Sequence, residues 1–292
     1  MSATDPYALA DPIARPFPPE RVNYATGVLL QAEDFRDEQS YHRGRLAMAL
    51  RHLVGFGTLA GLRVKAPAAS DNELELHVEP GLAIDRHGRL IELREPYCIR
   101  LSRWFAAQTA ADLKAAIHLK PATPFDAAVV ADVFLSARDC GRGKTPSFAA
   151  GPFDALDALV PARLAEEPDL EMVLRKEGPA VIPEPANRWP APNANRDTKL
   201  AAVLGSWDLG LFGGADDSIE PLAEHVATAE LSAVLLARIA IPVTPPPNSP
   251  PGLAPTLDLA QRTRADNSLR PFIFLPGKWL GRAPVPAPLV EP

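Results

Sequence analysis

This chain is short of most of what chemistry needs. It holds two cysteines in 292 residues, Cys98 and Cys140. That is too few for a disulfide framework, and both are expected to be structural, buried thiols of a protein made in a reducing compartment. No run of about 18 apolar residues occurs, so a membrane-spanning helix is not expected. The leader MSATDPYALADPIARPFPPE lacks a basic n-region and an apolar h-region. Synthesis in the cytoplasm without a signal peptide is therefore the expectation. Net charge is −6 without a basic tract, which argues against nucleic acid as a partner, since neutralising phosphates needs clustered Lys and Arg. The patterns G-x-S-x-G, H-E-x-x-H and C-x-x-C are all missing.

What resembles chemistry is incomplete. The run Gly141-Arg-Gly-Lys-Thr145 suggests a phosphate loop, but Arg138 stands where the motif needs its first glycine, and Pro146 interrupts the helix that would hold phosphate. It reads as a basic loop between strands. Glu33, Asp34, Asp37, Glu38 and His42 form one dense carboxylate–imidazole cluster, with Glu38 and His42 at i, i+4. A solvated charged helix face is the commoner meaning of such a cluster. Asp85 and His87 flank a turn with no nucleophile beside them. No catalytic residue, cofactor or metal is expected, and the chain reads as something other than an enzyme.

Proline is what the chain has in excess: 33 residues, about 11% against a usual value of about 5%. The prolines gather in the leader, in VIPEPANRWPAP (181–192), in IPVTPPPNSPPGLAP (241–255) and in the tail APVPAPLVEP. Proline cannot donate to a helix or central strand, so these stretches read as extended arms or linkers. Between them, residues 32–54 predict a helix with Phe35, Leu46, Ala49, Leu50 and Leu53 near one face, on which His42 also falls. Acidic side chains open that helix and Arg51 and His52 close it, which suits the helix dipole. Gly55 supplies the stop, Gly57 and Gly61 predict an open turn, and Gly44 in mid-helix points to a close neighbour or a weak point. Glu73–Glu79 alternates as a half-buried strand, Leu82–Asp85 and Leu90–Leu93 flank a hairpin turn, and Tyr97–Leu101 completes the sheet. Thr109–Ile117 predicts a short helix, and Ala127–Ala137 and Leu170–Arg175 predict strands. Ala223–Ala240 opens helix-like and ends in a strand. The fold class expected is mainly β (α+β), with the long helix packed on an N-terminal β domain. The divisions are a Pro-rich arm (1–20), that domain (21–105), a second β domain of sandwich or jelly-roll type (106–245) and a Pro-rich extended tail (246–292).

The run VNYATGVLLQAEDFRDEQSYHRGRLAMALRHLVGFGTLAGLRV, followed by LHVEPGLAIDRHGRLIEL, resembles a family encoded with contractile phage-tail-like particles, the extracellular injection systems. The pattern is TG-x-LL-x-x-EDF-x-x-EQ-x-Y, a helix, a G-x-G turn, and a hairpin V-x-PG-x-A-I/L-D-x-x-GR. Its matches here include Gly27, Leu29, Leu30, Phe35, Tyr41, Gly81, Asp85, Gly88 and Arg89. The order is also similar to the N-terminal part of the type VI secretion baseplate adaptor. More faintly, Pro161–Leu174 and the closing DNSLRPFIFLP resemble the ends of tail-fibre domains. Two departures stand out: Gln31 occupies a cap position that is often Thr, and a cysteine-rich loop of some relatives is reduced to DCGRGKT.

The resemblance implies a structural baseplate or tail adaptor that docks fibres or neighbouring subunits and is built into a tail-like particle. It also implies baseplate, tail or fibre proteins as partners, and a homo-oligomer with a trimer favoured. On that reading the interface candidates are Phe35, Glu38, Tyr41, His42, Arg45, Trp189, Trp207 and Trp279. The competing expectation is a recognition module or tail-fibre protein that binds a surface glycan through Trp189, Trp207 and the loop GSWDLGLFGGADD.

Overall fold

In the computed structural model the described residues are 8–9, 20–67, 74–120, 122–147, 158–177, 182–185, 188, 193–207, 219–226, 230–246, 253–271 and 273. A two-residue strand, β1 (Ala8–Leu9), precedes the long helix α1 (Ala32–Val54). The first six strands after it are β2 (Gly57–Gly61), β3 (Val64–Lys65), β4 (Glu75–Val78), β5 (Gly81–Ile84), β6 (Leu90–Leu93) and β7 (Tyr97–Arg100). They make two small antiparallel sheets, β2-β5-β6 and β3-β4-β7. The short helices α2 (Leu101–Ala106) and α3 (Ala110–Ala115) lead into β8 (Ile117–Leu119) and the 16-residue β9 (Ala127–Arg142). A ribbon of β10 (Thr145–Ser147) and β11 (Ala158–Val160) joins β9 to β12 (Arg163–Leu174). Helix α4 (Arg196–Trp207), β13 (Val234–Thr244), β14 (Thr256–Leu257) and β15 (Arg264–Asp266) follow.

The molecule is mainly β, with one long helix near the N-terminus and sheets after it. β9 organises it. All twelve residues of β12 pair with β9, and β13 runs antiparallel along it from Ala128 to Leu135 with a bulge between Leu235 and Ala237. β9 is covered on both faces over residues 127–135, which is why its sequence is an apolar run rather than an alternation. Val129, Ala131, Val133 and Leu135 join Leu62, Leu76, Val78, Ile91, Leu101 and Leu113 in one continuous core. Phe134 points the other way, against Ala233, Leu235 and Leu269.

One polar side chain interrupts that run. Asp132 is fully buried, and Arg238 grips it with Nε–Oδ1 at 2.8 Å and Nη2–Oδ2 at 2.9 Å. Arg175, also fully buried, reaches Asp132 at 3.2 Å and Glu177 at 2.7 Å. Burial pushes the Asp132 carboxyl above the usual carboxylate range, against the pull of Arg238 and Arg175. The β9 run thus carries its own charge-paired staple to β13 and to the end of β12.

Three local expectations fail for identifiable reasons. Gly57–Gly61 is not an open turn but the strand β2, paired with β5. Gly61 and Gly81 pass so closely there that a Cβ on Gly81 would lie 2.3 Å from the Ala60 carbonyl oxygen, so both positions need glycine. The stretch opening at Ala223 forms turns rather than a helix. Arg175 Nη1 donates to its Glu224 carbonyl, and just before the segment the Leu222 N–H donates to His225 Nδ1 at 3.1 Å. Gly205–Trp207, expected in a loop, closes helix α4.

Candidate docking surface

Helix α1 begins where Gln31 leaves extended backbone, and the Gln31 N–H donates to Asp34 Oδ2 at 2.7 Å. The Asp34 carboxylate at N3 thus supplies the reach-back half of a capping box onto the N-cap backbone, at a cap whose own residue, Gln31, is a poor N-cap. At the other end the Gly55 N–H closes onto the Arg51 carbonyl at 3.1 Å. The two fully buried residues of the helix are Gly44 and Ala47. The neighbour of Ala47 is the β5–β6 hairpin. Gly88 sits at φ +88°, and a Cβ there would lie 2.0 Å from the Ala47 carbonyl oxygen. Small residues on both sides therefore let the helix and the hairpin turn touch backbone to backbone.

The turn is rigid for a reason that the D-x-x-GR motif contains. Asp85 is fully buried, and its Oδ1 accepts from the backbone N–H groups of His87 (3.0 Å) and Arg89 (2.8 Å). Its Oδ2 accepts from Arg89 Nε at 2.6 Å, and Arg89 continues to Ser232 Oγ at 3.1 Å. Burial pushes the Asp85 carboxyl up, opposed by Arg89. Arg86, also buried, donates to the Leu231 carbonyl at 2.9 Å and lies over the Phe56 ring at 5.9 Å. Desolvation lowers its pKa to about 10. The Asp85 and His87 pair is thus a turn clamp, with His87 contributing its N–H and Asp85 fully occupied. A second tie fixes the helix to the sheet: Arg43 reaches Glu166 at 2.8 Å and Asp139 at 3.7 Å.

Held this way, α1 packs on the β5–β6 hairpin through Ala47, while the larger apolar residues of its stripe face outward. Phe35 is 52% exposed, Leu46 62% and Leu53 71%, and Leu29 in the preceding segment reaches 84%. Tyr24 and Val28 are exposed as well. The reason lies in the contact just described. At Ala47 the helix backbone approaches the hairpin closely enough to be anchored there, and the larger apolar residues lie elsewhere on the helix circumference. Beside the helix, Arg43, Leu46 and Leu50 line an open cleft of about 1060 Å³ with Leu90, Tyr97 and Leu164.

The interface candidates divide accordingly. Phe35 and His42 are exposed on the outer face, and Glu38 holds His42 Nε2 at 2.8 Å. Tyr41 is half-buried, edge-on to His42 at 5.4 Å, with the Arg45 guanidinium 5.4 Å from its ring centroid. Glu38, His42, Tyr41 and Arg45 are therefore linked to one another, and Phe35 is exposed on the same helix. Trp189 and Trp279 lie outside the described residues, and Trp207 is placed as the last residue of α4, its side chain not described.

One cluster had no signal in the sequence. His77 and Cys98 face each other across β4 and β7, with Cys98 Sγ 3.0 Å from His77 Nδ1. Glu75 stands 3.9 Å from His77 Nε2 and takes a hydrogen bond from Arg100 at 3.0 Å. Donor atoms of Glu75, His77 and Cys98 lie within 4.8 Å of one another. Sulfur and carboxylate sit at opposite ring nitrogens, the order of a hydrogen-bond relay, and Arg100 already pairs with Glu75. Cys98 is exposed and Cys140 half-buried, so the expectation of two buried thiols is corrected. Cross-strand partners 21 residues apart leave no local pattern to read.

No protein-family model and no curated protein matches this sequence. Among solved structures, the chain is similar to a crystal structure of TssK, with a TM-score of 0.31 and 11% sequence identity over 84% of this chain and 42% of that one. The chain thus spans less than half the length of the TssK chain.

Proposed function

We propose that this chain is a structural component of a contractile phage-tail-like injection particle, an adaptor in the baseplate or tail that docks fibres or neighbouring subunits. One observation carries the reading. The apolar residues of TG-x-LL-x-x-EDF that give the chain its resemblance to particle proteins, Leu29 and Phe35 above all, lie outside its own core. The D-x-x-GR half of the motif, in contrast, is internal: Asp85, Gly88 and Arg89 lock the turn that carries α1. One half of the pattern holds the helix, and the other half is left for a partner. Exposed contiguous apolar surface of this kind marks association sites. On this reading the chain works by geometry rather than catalysis, and the cleft beside Leu46 and Leu90 extends the same contact face.

Deleting the gene and purifying the particle tests this directly. Missing fibres or incomplete baseplates are expected. Particles with normal baseplates and normal fibre attachment refute the proposal.

A further inference from the structure

We propose that Cys98 is a thiol-modification site, where His77 takes the thiol proton and the sulfur exchanges with small carboxylate-bearing disulfides. The proposal is independent of the docking reading of α1. Strand register builds the site. β4 and β7 set His77 opposite Cys98 and Glu75 opposite Arg100, and directly opposed residues share one face of a sheet. Leu76 and Val78 alternate with Glu75 and His77 into the core, so the four polar side chains stand on the outward face. From β3, Lys65 stands opposite His77 and pairs with Glu79. The partner of the sulfur is thus fixed by a strand ladder rather than by a loop.

Three requirements of a nucleophilic thiol meet there. A proton acceptor is in reach, with Cys98 Sγ 3.0 Å from His77 Nδ1. The ring is backed: Glu75 lies 3.9 Å from Nε2, where a carboxylate favours the tautomer with its proton on Nε2 and leaves Nδ1 as the acceptor. Glu75 is a positioning residue in this scheme and acts through His77. Access is the third. Cys98 is exposed and lines an open cleft of about 800 Å³ together with Trp104, Leu170 and Met172.

The cleft also selects the reagent. Among the described residues its charged lining is Glu75, Arg100 and Arg103. Arg100 and Glu75 hold each other at 3.0 Å, and Arg103 is an exposed cation with no acidic partner among the described residues. A small disulfide with a carboxylate therefore suits it better than a cationic one. Displacement at sulfur passes charge from one sulfur to another, so the site needs no device for holding an oxyanion. The Cys98 proton passes to His77 Nδ1 and Sγ attacks one sulfur of the disulfide. A new S–S bond forms as the old one breaks, and the departing thiolate takes the proton from His77. Cys98 and half of the reagent end as a mixed disulfide, and the other half leaves reduced to a thiol.

The test uses the full chain and two disulfides, dithiodipropionate and cystamine, with adducts located by intact mass and peptide mapping. At about pH 7 the native chain should take one thiopropionate on Cys98, faster than the free thiol of N-acetylcysteine amide, and lose it to dithiothreitol. His77→Gln should slow the reaction by about ten-fold or more. That gap should close by about pH 9.5, where thiols ionise without help. Glu75→Gln should fall between the two chains at about pH 7. With each rate normalised to the free thiol, dithiodipropionate should be favoured over cystamine by about three-fold or more at low salt, and Arg103→Gln should remove the preference. A native rate at or below that of the free thiol overturns the proposal and needs no variant. So does an unchanged rate in His77→Gln or Glu75→Gln, a His77→Gln gap that persists at about pH 9.5, or equal normalised rates for the two disulfides.

Discussion

The contact between Gly88 and Ala47 carries the orientation of α1, and Gly88→Ala perturbs it with one methyl group. Two costs add. An L-residue at φ +88° sits in left-handed backbone at about 1–2 kcal/mol. The new Cβ also meets a backbone carbonyl oxygen at 2.0 Å. Neither the helix nor the clamped turn can yield by a rotamer change, so overpacking adds about 1–3 kcal/mol. Gly27→Ala isolates the first cost, since Gly27 has nearly the same φ, +87°, and nothing within 4 Å of its Cβ position. Gly88→Ala should therefore destabilise the fold by about 3 kcal/mol, against about 1–2 kcal/mol for Gly27→Ala. In thermal unfolding followed by circular dichroism, a change of that size lowers the Tm by roughly 6–12 °C in a chain of this length. Amide exchange adds a local readout: α1 should lose protection in Gly88→Ala and keep it in Gly27→Ala. Equal Tm losses for the two variants refute the claim that the hairpin turn seats the helix.

Three further outcomes follow from the same geometry. The raised Asp85 carboxyl means the native state holds a proton that the unfolded chain releases, so its contribution to stability falls as pH rises above the ordinary carboxylate range. Asp85→Asn has no such proton, and its Tm relative to the unmodified chain should climb as pH rises above about 4, the ordinary Asp value; a relative Tm that declines contradicts the assignment. Arg238→Met leaves buried Asp132 without its two-pronged partner and should cost about 3–5 kcal/mol in denaturant unfolding, whereas a loss under 1 kcal/mol rules out the staple. Cys98 should react first with a maleimide in the folded chain, leaving Cys140 largely unmodified, and Cys98→Ser should remove the fast phase; labelling of Cys140 at the same rate contradicts the placement of the two thiols.

The local parts of this fold were legible. Helix α1 ends where glycine and the charge order say it should, and β4 alternates as its sequence does, with Leu76 and Val78 inward. The apolar run of β9 reads as a central strand because covering on both faces removes any need for alternation. What escaped was everything set by partners distant in the chain. An apolar stripe on a helix says that something covers it, and the nearest β domain is the ordinary answer. Here Ala47 takes that contact instead, near the buried Gly44, and a mid-helix glycine is the only advance sign. The segment at Ala223 had helical composition, but Arg175 holds the Glu224 carbonyl that a helix would use. Strands β14 and β15 lie beyond a proline-rich stretch and owe their form to the edge of β13. The His77–Cys98 contact and the Asp132–Arg175–Arg238 network depend on strand register, which no single segment encodes.

The central claim is that the outward face of α1 exists to hold another protein. The decisive measurement is the copy number of a Leu29→Glu/Phe35→Glu chain in purified particles, by quantitative mass spectrometry, beside the Tm of the same variant in isolation. Leu29 is 84% and Phe35 52% exposed, so the account predicts a Tm within about 4 °C of the unmodified chain together with loss of the chain from the particle. Normal incorporation of the folded variant contradicts it.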